Sequence, residues 1–201
     1  MCDDKQLRRI GLLGGSFDPP HLGHLWMARR AREQASLDEV WLLPAWRAPH
    51  KDPTRQSDFS IRLELARLLA AEDEFLLVAE VERDLGGTSY TVDTVRHLKR
   101  AHPDCKFHLI IGGDSLADLA GWKDPAGLCA ELELVVLARE GFETKSDLPC
   151  TIFSGETHPA QSRLIRADIA AGLEGRWLNE ALAKRIASLG LYLCEPEGDS
   201  E

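Results

Sequence analysis

Six short apolar runs recur along the chain, and most are separated by stretches with helical spacing. RRIGLLGG (8–15), EVWLLP (39–44), EFLLVAEVE (74–82), KFHLIIGGD (106–114) and ELELVVLAR (131–139) read as strands, with CTIFS (150–154) a weaker sixth. Between them, HLGHLWMARRAREQA sets Leu22, Leu25, Ala28 or Arg29, and Arg32 at helical intervals. FSIRLELARLLAAE does the same with Ile61, Leu65, Leu68 and Leu69, and TVDTVRHLKRAHP with Val92, Val95 and Leu98 before Pro103. Strands that are apolar throughout and alternate with helices belong to a parallel sheet covered on both faces. The pattern predicts an α/β fold: a Rossmann-like, doubly wound parallel sheet, with ligands beyond the carboxyl ends of the strands. The tail, 162–192, reads as two closing helices. No repeat or linker interrupts the pattern, so 1–201 reads as a single domain, with a core to about 155 and a helical part over about 156–192.

The 201 residues suit one compact domain. No apolar span approaches the ~18 residues of a membrane helix, and the N-terminus lacks a signal-peptide core. The expected location is therefore cytoplasmic, without membrane association. A net charge of −9 disfavours a nucleic-acid binder. It leaves room for a small anionic ligand held by local cations. The five cysteines are widely spaced without a CxxC, which points to reduced thiols rather than a metal ribbon or disulfide framework.

The most informative stretch follows the first strand: GLLGGSFDPPHLGH (11–24). It lacks the GxGxxG of dinucleotide binders. Gly14 and Gly15 let backbone N–H groups approach an anion. Pro19 and Pro20 suit a helix start, where lost donors cost little. A helix beginning near His21 would turn its positive end to the same anion, with His21 and His24 on one face. Two histidines alone are more often ordinary ones, and zinc would need a third ligand that the spacing does not offer. Their joint position points to a phosphate cradle.

GGSFDPPHLGH resembles the H-x-G-H motif of the nucleotidyltransferase superfamily. LLPAWRAPHK (42–51), GGTSYTVDTVRHLK (86–99), IIGGDSLADLAGWKDP (110–125), LVVLAR (134–139) and LGLY (189–192) resemble the bacterial nicotinate-mononucleotide adenylyltransferase family within it. The resemblance implies transfer of AMP from ATP to nicotinate mononucleotide, with release of pyrophosphate. It implies that His21 and His24 are catalytic and bind ATP phosphates, aided by Gly15, Ser16 and Phe17. Gly112 and Asp114 would bind ATP, Asp114 through the ribose hydroxyls, although Asp114 also suits a helix cap. Ser16, Arg47, Lys51, Thr88, Tyr90 and Trp122 would bind the mononucleotide, Trp122 by stacking. Arg47 and Lys51 also read as a solvated basic loop, and Trp122 as a core aromatic. Asp18 reads as a turn residue. Nicotinate is expected over nicotinamide as substrate.

The family's second phosphate motif departs here. AQSRLIR (160–166) puts Gln161 and Arg163 where Ser and Thr are usual. Ser162 is then the expected helix cap, and Ser162, Arg163 and Arg166 the expected ATP contacts. Mg2+ would ride on the ATP phosphates, with no protein metal site. The alternatives are a pantetheine-phosphate or other mononucleotide adenylyltransferase, or a binding module that has lost catalysis. Whether copies form a homo-oligomer is left open.

Overall fold

The computed structural model describes residues 7–49, 52, 54, 56–138 and 148–193. Six strands form one sheet: β1 (Arg8–Gly15), β2 (Glu39–Pro44), β3 (Leu76–Val78), β4 (Cys105–Gly112), β5 (Glu133–Ala138) and β6 (Cys150–Ser154). Every pairing is parallel, in the order β3-β2-β1-β4-β5-β6. The order reverses between β1 and β4, which are the two central strands. Helices α1 (Leu22–Gln34), α2 (Phe59–Ala70), α3 (Val81–Leu85), α4 (Thr91–Ala101), α5 (Gly113–Asp118), α6 (Pro125–Glu131), α7 (Ser162–Ala170) and α8 (Glu180–Ser188) complete the chain. This is the Rossmann-like α/β fold expected from the alternation of apolar runs.

Two hydrophobic cores cover the sheet. One joins Ile10, Leu12, Phe107 and Leu109 to Val92, Val95 and Leu98 of α4. The other joins Leu13, Val40, Leu42 and Ile110 to Leu25 and Ala28 of α1 and Leu65 and Leu69 of α2. Successive strand residues point to opposite faces, so a strand in contact with both cores must be apolar throughout.

Three local differences from the sequence pattern have physical causes. The third run forms only the three-residue edge strand β3, because Val81 and Leu85 stand at helical spacing and start α3. In α1 the buried face is Gly23, Leu25, Ala28 and Ala31, so small residues rather than Arg29 and Arg32 meet the sheet. Helix α6 is opened by Asp124, whose carboxylate accepts the Gly127 N–H at 3.0 Å, and by Pro125 in its first turn. Cys105, Cys129 and Cys150 are free thiols, while Cys2 and Cys194 lie outside the described residues. Among the described residues, no helix is long and apolar enough to cross a membrane.

Candidate active site

The sheet itself opens the site. Pairing between β1 and β4 runs from Arg8 opposite Cys105 to Leu12 opposite Leu109, and stops there. Beyond that point β1 stays with β2 as far as Gly15, and β4 stays with β5 as far as Gly112. The central strands therefore diverge over their last three residues, at the point where the strand order reverses. A cavity of about 1040 Å³ fills the divergence. That is at the upper end of the range for small-molecule sites.

Its floor is glycine. An added Cβ at Gly14 would meet nothing within 4 Å, and one at Gly112 only Asp114 Oδ1 at 3.9 Å. Both backbones thus face open cavity, where a ligand can approach them closely.

The wall above β1 is the start of α1. His21 is its N-cap residue and His24 stands three residues on, with ring centroids 3.8 Å apart. The His21 backbone N–H donates to His24 Nδ1 at 3.2 Å, so the His24 proton sits on Nε2. The Phe17 ring lies 4.8 Å from the His24 ring and packs beneath Gly15. Phe17 is buried and has φ 51°, a left-handed conformation uncommon for an aromatic residue. Burial holds the His21 pKa down to about 4, with a smaller push from His158, so the imidazole is neutral at pH 7. His21 Nδ1 is buried without a hydrogen-bond partner among the described residues.

The loop between β1 and α1 is held from behind. Buried Arg62 donates to the Ser16 carbonyl at 2.8 Å and to the Ser57 carbonyl at 3.0 Å. Arg166 donates to the Asp18 carbonyl at 2.9 Å, and Ser162 Oγ to the Pro19 carbonyl at 2.9 Å. The Asp18 carboxylate is buried, accepting from Tyr192 Oη at 2.5 Å and from the Ser57 N–H at 3.1 Å. Burial first, and Asp18 second, push the Tyr192 pKa up, so it remains a donor. Asp18 therefore organises the turn, as expected. The Asp18–Pro19 peptide is cis.

These placements sort the expected site residues. Gly15, Ser16, His21, His24, Gly112, Asp114, Tyr90 and Trp122 all line the cavity. Phe17 supports His24 without lining it. Asp114 is not the cap of α5: Gly112 holds that position, and Asp114 sits in the first turn. Thr88 is exposed, and the neighbouring Ser89, Tyr90 and Thr91 line the cavity in its place. Arg47 is exposed on the loop after β2, where Ser89 Oγ accepts its N–H at 3.2 Å. Lys51 lies outside the described residues.

The expectation that Ser162 caps α7 is corrected. Gln161 occupies the N-cap position, without a side-chain cap, because the Ser162 hydroxyl is turned back to Pro19. Ser162, Arg163 and Arg166 do not line the cavity, whereas Thr157, His158 and Gln161 do. Glu82 and Lys123 are further cavity residues outside the sequence reading. Lys123 Nζ stands 4.5 Å from the Tyr90 ring centroid and pairs with Asp93 at 2.7 Å. Glu82 is buried, and that burial raises its pKa. Nothing in the sequence marked Glu82, which closes the third apolar run and reads there as the end of a strand.

A parallel sheet split at its centre, with glycine backbone and paired imidazoles in the split, is built to receive the phosphates of a nucleotide. The model of the cytidylyltransferase-like family matches residues 12–168, and the chain belongs to that family. Within it, the chain is 46% identical over 133 residues to a protein of Exiguobacterium sibiricum named probable nicotinate-nucleotide adenylyltransferase, covering 66% of this chain and 70% of that one. A protein of the same name from Shouchella clausii is 35% identical over 187 residues, covering 92% of this chain and 97% of its own. In fold, the chain is similar to the Plasmodium falciparum nicotinic acid mononucleotide adenylyltransferase solved with NaAD. The TM-score is 0.80 at 16% identity, covering 94% of this chain and 98% of that one.

Proposed function

We propose that the chain is a nicotinate-nucleotide adenylyltransferase, joining the AMP part of ATP to the 5′-phosphate of nicotinate mononucleotide in NAD biosynthesis. The observation that carries this reading is the glycine-floored split between β1 and β4 beneath His21 and His24. The sequence relatives named for this reaction support it. A cytoplasmic location goes with it.

In the reaction a phosphate oxygen of the mononucleotide attacks the α-phosphorus of ATP. A new P–O bond forms, the bond to the β-phosphate breaks, and its electron pair leaves with pyrophosphate. The attacking oxygen is already anionic, so no side-chain base is required. The demand is alignment of two polyanions and stabilisation of the charge that builds on the transferred group and leaving group. His24 meets it with a fixed Nε2–H. Backbone amides of the Gly15–Phe17 turn are suited to the same task. Because the Ser16 carbonyl is drawn toward Arg62, the Phe17 N–H of the same peptide points the opposite way. The Leu22 N–H is already taken by the Trp177 carbonyl at 2.9 Å, so the helix start contributes fewer free donors than an isolated one.

Arg166 and Ser162 act in this reading by holding the phosphate turn rather than by contacting ATP. Asp114, beside Gly112, is suited to the ATP ribose. Mg2+ accompanies ATP and supplies counter-charge on its phosphates. Among the described residues no group of three or more His, Cys, Asp or Glu side chains is arranged to hold a metal.

The mononucleotide falls to the side bounded by Tyr90, Trp122 and Lys123, with Arg47 on the neighbouring loop. Trp122 is half-buried against the core and lines the cavity, so one part of the indole is anchored and one is available to a flat ring. Trp122→Ala should raise KM for nicotinate mononucleotide roughly tenfold or more, the usual scale for one lost base–aromatic stack. KM for ATP should stay within about twofold on the same scale. Steady-state kinetics with each substrate varied would decide it, and an unchanged mononucleotide KM would remove the stacking role. The preference for the acid over the amide belongs to this same pocket.

A further inference from the structure

We infer that His158 is a third imidazole of the phosphate site, donating its Nε2–H to the triphosphate of ATP. The inference rests on the reaction proposed above and concerns a residue outside the two-histidine motif. His158 lies on the strap between β6 and α7 and lines the same cavity as His21 and His24. Its Nδ1 accepts the Ala160 N–H at 3.2 Å. That bond leaves the imidazole proton on Nε2, so the ring presents a donor rather than an acceptor. A donor suits an anion.

The strap is fixed against the phosphate turn at several points. A Cβ added to Gly23 would come within 3.2 Å of Ala160 Cβ and 2.9 Å of His21 Nδ1, so strap, helix start and His21 are packed together. Two residues beyond Ala160, Ser162 Oγ is bonded to the Pro19 carbonyl, and Arg166 to that of Asp18. His158 is thus held in register with His21 and close enough to depress its pKa. Arg163, which stands where threonine is usual, is exposed outside the cavity, and Arg166 is turned to the Asp18 carbonyl. A triphosphate seated by His21 and His24 would find its further side-chain donors on this wall at Thr157, His158 and Gln161, of which His158 is the one fixed as a donor by its own hydrogen bond.

The test is titration calorimetry of the full chain with magnesium ATP, with magnesium pyrophosphate and with nicotinate mononucleotide, on wild type, His158→Ala and His158→Gln. A hydrogen bond to a charged group sets the scale: His158→Ala should weaken ATP and pyrophosphate roughly tenfold or more. The mononucleotide should bind within about twofold of wild type, being outside that bond. His158→Gln, whose amide N–H can replace Nε2–H, should recover most of the loss. Unchanged affinity for ATP and pyrophosphate in His158→Ala would overturn the inference. So would an equal loss for the mononucleotide, or no recovery in His158→Gln with an unchanged melting temperature. Wild-type turnover measured in the same preparation separates this result from the reaction itself: turnover without a His158 effect removes only the third imidazole.

Discussion

His24→Ala is expected to lower kcat roughly 100- to 1,000-fold, the usual loss when one preorganised transition-state donor is removed. Three features make His24 the residue to lose. It stands in the first turn of α1 over the split sheet. Its Nδ1 is occupied by the His21 N–H, which fixes the tautomer with Nε2–H as donor. The Phe17 ring backs it, so the imidazole is held rather than left to search for its position. A donor that strengthens as charge develops acts on the transition state more than on bound substrate. Mononucleotide affinity should therefore stay within a few-fold while kcat collapses. Rapid-quench or steady-state kinetics would show the split, and near-normal kcat would remove His24 from the chemistry.

Gly14→Val should produce a folded protein that has lost nucleotide binding. Gly14 lies near the end of a central strand, and an added Cβ would meet no atom within 4 Å. Valine suits extended backbone, so the melting temperature should hold or rise. The new side chain would instead stand in the split between β1 and β4, where phosphates must approach the backbone. Displacing a reacting group by about 1 Å costs on the order of 100-fold in rate, and kcat/KM should fall at least that far. Gly11, three residues earlier on the same strand, provides the contrast. There a Cβ would lie 2.7 Å from both Ile110 Cδ1 and Leu37 Cδ1, so Gly11→Ala should lower stability before it alters the site. Equal loss of stability in both variants would mean that Gly14 is a packing residue, not part of a ligand-facing floor.

The strands and the principal helices were legible because burial on both sheet faces demands uninterrupted apolar runs, and because glycine or proline marks their ends. The first turn was legible for a related reason. Few tasks other than close approach to an anion bring Gly14, Gly15, His21 and His24 together after a strand. The strap before α7 was not legible to the same degree. Irregular backbone has no periodicity, so the order of residues does not say which side chains face inward. There Ser162 and Arg166 turn back to the carbonyls of Pro19 and Asp18, while His158 and Gln161 line the cavity. Glu82 and Lys123 were not singled out: Glu82 closes an apolar run that reads as a strand, and Lys123 follows Trp122 in a stretch where only the tryptophan carried a role. The packing of α3 against β2 and α4 brings Glu82 to the cavity, and the ion pair with Asp93 of α4 holds Lys123 there.

The most direct measurement is pyrophosphate release with ATP and magnesium, run side by side on nicotinate mononucleotide, nicotinamide mononucleotide and phosphopantetheine. Release should be fastest by a wide margin with nicotinate mononucleotide, and should yield nicotinate adenine dinucleotide in equal amount. Release with phosphopantetheine alone, or none with any acceptor while ATP still binds, would contradict the account.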